Sequence, residues 1–208
     1  MSMADLVASL KDSLSEAASV FESETATPDA AFERFLLQAL PDMQLKRPAT
    51  RLGSVALTAN FPRVAVGSDN PNFAAFKTFV WGDGCTARPW EPAYPGRLPR
   101  VSASFEAQQW WLVFDPAPTA LQIGRYGGRF DFWYFAAHAI GTDPIDTTIN
   151  PQDRGLLLLR AQVEAMAEMA IRNAGKPVQM RDGFSGQPRN STAAALHEAL
   201  RRQFAEAR

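Results

Sequence analysis

Residues 151–174 read Pro-Gln-Asp-Arg-Gly-Leu-Leu-Leu-Leu-Arg-Ala-Gln-Val-Glu-Ala-Met-Ala-Glu-Met-Ala-Ile-Arg-Asn-Ala, a stretch with a repeating apolar stripe and signals at both ends. Leu156, Leu159, Val163, Met166 and Ala170 follow alternating steps of three and four, the period of one helical face. Leu157, Leu158, Ala165 and Met169 widen that stripe, so the helix has to be covered on more than one side. Asn150 is placed to accept from a free backbone N–H, Pro151 needs no donor at the first position, and Asp153 suits the positive end of the dipole. Gly175 is suited to a left-handed cap and Pro177 blocks continuation. At 1.5 Å per residue the helix spans roughly 36 Å, about a domain diameter.

Upstream, residues 4–24 put Leu6, Leu10, Leu14, Ala17 and Phe21 on one helical face. A second helix follows, with Thr27 as cap, Pro28 in the first turn and Phe32, Phe35, Leu36, Ala39 and Leu40 as its apolar face before Pro41 weakens the pattern. The short link from Glu24 to Thr27 favours an antiparallel pair. Downstream, an irregular link runs to Asn190. Ser191 or Thr192 then caps a last helix with Leu196, Leu200 and Phe204 one turn apart and Arg201, Arg202 and Arg208 near its end.

Between these helices the period changes to that of strands. Val55, Leu57 and Ala59 alternate with smaller residues, 62–66 is short and apolar, and 76–81 is aromatic and β-branched. From Gly82 to Pro99 the prolines and glycines, with Trp90, Tyr94 and Arg97 among them, predict a structured excursion that serves as a contact loop. Val101, Ala103 and Phe105 alternate again, and residues 108–124 read as a hairpin turning at Asp115-Pro116-Ala117-Pro118-Thr119. Phe130-Asp131-Phe132-Trp133-Tyr134-Phe135 carries large side chains on both faces, which predicts a sandwiched strand. The expected fold is α+β. It consists of a helical bundle from 1–50 and 141–190, an inserted antiparallel β domain at 51–140, and a C-terminal helix at 191–208 able to leave the bundle on its tether.

The 208 residues are 46% hydrophobic and 21% charged, enough to bury a sizeable core. A net charge of -1 gives no basic excess of the kind a dedicated nucleic-acid binder shows. The single cysteine, Cys85, excludes an internal disulfide framework and a multi-thiolate zinc site, which suits a reducing compartment. No signal-peptide pattern opens the chain and no apolar run approaches the ~20 residues of a membrane span.

Catalytic signatures are sparse. His138 and His197 each lack a second ligand at helical spacing. Gly183-Phe184-Ser185-Gly186 lacks the spacing of a nucleophile elbow, and Gly82-Asp83-Gly84 and Gly127-Gly128 have no phosphate-loop context. Asp143 and Asp146 match no calcium loop, and Asn190-Ser191-Thr192 is better explained by helix capping than by glycosylation. The residues therefore give no catalytic, cofactor or metal site. Two alternatives stay open: a binding module stacking sugars or bases on Trp90, Trp110, Trp111 and Trp133, and a hydrolase using His138, Asp131 and Asp143.

The order of elements resembles the head-to-tail adaptor (connector) proteins of tailed bacteriophages. The resemblance rests on the paired N-terminal helices and the β insert entered at Arg51-Leu52-Gly53-Ser54-Val55. It continues through Trp111-Leu112-Val113-Phe114-Asp115-Pro116-Ala117-Pro118, the strand Phe132-Trp133-Tyr134-Phe135 before a polar link, the Leu-rich helix, and a terminal helix with His197 and Phe204. It implies a non-enzymatic dodecameric ring without cofactor, placed in the virion beneath the portal. That ring would join the portal to a downstream tail or stopper protein, with packaged DNA passing through unread. It also implies that Leu196, Leu200, Arg201 and Phe204 dock on the portal and that the loop with Trp90, Tyr94 and Arg97 faces the next tail component.

Overall fold

A computed structural model describes residues 1–22, 29–84, 87–172, 177–181 and 188–207. The expected caps at Thr27, Pro28 and Gly175, the turn at Gly183-Phe184-Ser185-Gly186, and Cys85 lie outside the described residues. The fold is mixed α+β, and the chain divides into two compact units, Met1–Pro48 with His138–Arg208, and Ala49–Ala137. The C-terminal segment belongs to the helical unit.

In the helical unit, α1 (Met3–Leu14) opens with a reciprocal box in which Ser2 accepts from the Asp5 N–H and Asp5 accepts from the Ser2 N–H. The single helix expected over 4–24 is broken: Ser15 takes φ 51, a 3₁₀ turn covers Ser15–Ala17, and α2 (Ala18–Glu22) follows. The break still leaves Leu6, Leu10, Leu14, Ala17 and Phe21 all buried, so the apolar stripe is kept across it. In α3 (Ala30–Lys46), Pro41 lies inside the helix where its removal of one backbone donor was expected to weaken the pattern. Leu36, Ala39 and Met43 on either side of it are fully buried, and that packing carries the helix through.

The long helix is α5 (Arg154–Arg172), preceded by a 3₁₀ turn at Pro151–Asp153. Asn150 makes no side-chain cap; its backbone carbonyl accepts from Asp153 N at 2.9 Å. Leu157, Leu159, Ala161, Ala165 and Met166 are fully buried, so the widened stripe is covered as its pattern requires. The expected tether is a hairpin of β7 (Pro177–Arg181) and β8 (Pro188–Thr192), numbered in chain order with the strands below, and it packs on α1 and the turn at Ser15–Ala17. It delivers α6 (Ala193–Glu206) onto α5, where Leu196, Leu200 and Phe204 join the same core as α1, α3 and α5. The physical reason is that α5 is apolar on two sides, and a thin stripe at helical spacing on a short connection covers the second.

The β unit holds two antiparallel three-stranded sheets. One orders β1 (Ala49–Ala56), β6 (Arg129–Ala136) and β3 (Phe73–Phe79), and the other orders β2 (Arg63–Ala65), β5 (Gln109–Asp115) and β4 (Arg100–Glu106). Their inner faces share a core in which Phe114 meets Phe130 edge-on at 5.0 Å and Phe130, Phe132 and Tyr134 are buried. The strand β6 is not sandwiched. Its other face leaves Trp133 38% exposed beside Leu52 at 54%, with Lys77 over the Phe135 ring. The hairpin expected at 108–124 is also displaced. β4 and β5 pair through a turn at Ala107 and Gln108, both at positive φ, and the segment after Asp115 is helix α4 (Ala120–Tyr126). Thr119 and Gln122 form a capping box there, and that local cap decides the conformation against the Leu121/Ile123 alternation.

Candidate interaction surfaces

The terminal helix was expected to present Leu196, Leu200 and Phe204 to a partner. All three are buried, at 3%, 0% and 9% exposure, so that face cannot dock while α6 is seated. The helix turns both signs of charge outward: Arg201 and Arg202 are exposed, as are Glu198 and Glu206, and His197 is half-buried.

Arg201 borders a cavity of about 640 Å³ formed where the second half of α3, the first half of α5 and the end of α6 converge. Val163 and the Phe204 ring give it apolar lining, while Asp42, Lys46, Arg160, Glu164, His197 and Arg201 bring charge and polarity. Lys46 Nζ donates to the Ala205 and Ala207 carbonyls at 2.9 and 2.8 Å, ending α6 as a cation should, and stands 4.8 Å above the Phe204 ring. Arg160 bonds Asp42 through Nε and Glu164 through Nη2, its Cζ lies 5.9 Å from the same ring, and its buried Nη1 has no partner. The Arg160–Glu164 spacing was visible in the sequence as an i, i+4 pair. Nothing in the spacing connected either residue to Asp42, Lys46 or α6.

The loop expected to face a tail component is ordered by two successive turns, Glu91 N–H to Arg88 O and Tyr94 N–H to Glu91 O, each 2.9 Å. Gln122 of α4 anchors its end by donating to the Arg97 carbonyl at 2.8 Å. Gly82 begins the excursion at φ +84, where a side chain would also meet Leu98 at 2.8 Å. Trp90 is 74% exposed with the Arg88 guanidinium 5.5 Å over its ring, Arg97 is exposed and Tyr94 is half-buried. Trp110, by contrast, is engaged by Phe73 and Phe105 at 5.3 and 5.0 Å, and Trp111 is half-buried. The four tryptophans named for a stacking platform are thus unlike one another, and Trp110 is occupied by its aromatic neighbours.

His138 is held by its neighbours. Its ring bonds the Arg47 carbonyl at 2.6 Å and Thr148 Oγ1 at 3.2 Å, and its N–H donates to Gln44. Asp131 pairs with Arg129, and Asp143 accepts the Asp146 N–H through its carbonyl in a turn. Among the described residues, no group of three His, Cys, Asp or Glu could hold a metal ion, and no helix is long and apolar enough to cross a membrane. Thr192 caps α6 through Ala195 N, the role assigned to the Asn190–Thr192 segment. In comparisons of the sequence with known proteins, no family model matches the chain and no curated protein matches it significantly.

Proposed function

We propose that the chain is a structural adaptor of the tailed-phage head-to-tail junction, forming a homo-oligomeric ring on the portal and carrying a downstream tail or stopper protein. The observation that supports this reading is the element order. Helices at the start, a self-contained strand-rich insert, a long central helix and a terminal helix run in the sequence that the resemblance implies. An insert with its own core suits a part that presents contacts, and the ordered loop with exposed Trp90 supplies an anchor of the type enriched at interfaces. In this reading the chain performs no catalysis, needs no cofactor, and lets DNA pass without sequence-specific contact.

Co-expression with the portal protein encoded in the same genome tests it. The expected result is one stable complex heavier than the portal ring. Separate elution of the two proteins at micromolar concentration contradicts it. The sugar- or base-stacking alternative predicts quenching of tryptophan fluorescence by oligosaccharides or oligonucleotides, abolished in Trp90→Ala.

A further inference from the structure

The cavity between α3, α5 and α6 contains three cationic side chains, Lys46, Arg160 and Arg201, against two carboxylates, Asp42 and Glu164. Both carboxylates are already bonded to Arg160. Arg160 with its two carboxylates is net negative by one, so the five groups together leave one positive charge over between Lys46 and Arg201, the latter exposed on the cavity wall. The apolar lining from Val163 and Phe204 adds a surface for aliphatic carbons beside these donors. A carboxylate on a short methylene stem matches both halves of this arrangement, its oxygens toward the cations and its carbons on the apolar wall.

We infer that this cavity is a docking socket for a glutamate or aspartate side chain from an acidic segment of a partner protein. The inference rests on the adaptor reading only for where such a partner is met. It relocates the recognition expected of α6 from its leucine face, which is buried, to Arg201 at the cavity wall. Binding weakens with salt, because Arg201 is exposed and exposed charges are screened over about 10 Å at 0.1 M ionic strength.

The test is a titration of the full isotope-labelled chain with a hexaglutamate peptide, followed by amide chemical shifts, with inorganic phosphate run in parallel. The expected result is saturable shifts at Val163, Glu164 and Ala205, about tenfold weaker binding in Arg201→Glu, and little change in Arg202→Glu. Arg201→Gln guards against a folding defect, and it also weakens binding while the thermal transition stays that of the native chain. Absence of saturable shifts, affinity in both Arg201 variants equal to that of the native chain, or phosphate reproducing the same shifts at the same concentration overturns the inference. Saturable peptide binding with no portal complex supports the socket and removes the adaptor reading, so the two fail separately.

Discussion

Asn70 does with its side chain what a neighbouring strand does with its backbone. Its Oδ1 accepts from Ser54 N at 3.0 Å and its Nδ2 donates to Ser54 O at 3.1 Å, closing the free edge of β1 at that residue. Gly53 makes room for it, because a Cβ there would stand 2.1 Å from Asn70 Oδ1. Asn70→Ala should therefore cost about 1–3 kcal/mol, read as a lower urea midpoint at unchanged slope. A second residue gives a pH signature. Burial pushes the Tyr134 phenol above the ordinary tyrosine range, the nearby Arg51 offsetting part of it. The folded pKa is raised, so this contribution is complete below the unfolded value of about 10 and is lost as pH rises through the folded pKa. Unfolding followed across that window should show a loss of stability that Tyr134→Phe reduces. Neither role was legible in the sequence: Asn70 sits among turn residues, and only the register of β1 brings it to Ser54.

At the level of elements, legibility followed how wide and regular the apolar pattern is. The 151–174 stripe identified α5 within a few residues, because a face of nine apolar positions at helical spacing has one physical solution. Strands β1, β3, β4, β5 and β6 were legible from alternation and β-branched or aromatic content. Helix α4 was not, since Leu121 and Ile123 also satisfy a two-residue period; the Thr119 and Gln122 capping pair was the available signal. The stripe of α6 was read correctly as apolar, but a stripe of that width fits an outside partner as well as its own core. The burial of Leu200 changes what a substitution does. Leu200→Asp places a charge in the core and should destabilise the fold by about 4 kcal/mol or more, as Leu159→Asp should, and both are read as a lowered thermal midpoint. A Leu200→Asp chain with the native midpoint would contradict the seating of α6.

For the molecule as a whole, the chain leaves the helical unit after Pro48 and returns at His138, and Ala49 pairs with Ala136 across β1 and β6. Both ends of the insert therefore lie side by side on one ladder, which lets a domain be inserted without disturbing its host. His138 marks the return within the helical unit, where its ring bonds the Arg47 carbonyl. This two-unit organisation was legible from the switch of period near residue 50 and back after residue 136. Candidate contact residues were not, because exposed side chains such as Trp90 and Arg201 follow no period in the sequence. The proposed assembly on a portal is open to electron microscopy of the purified chain mixed with the portal of the same genome. A second ring of density stacked on one end of the portal is expected; portal particles unchanged at saturating chain concentration overturn the proposal.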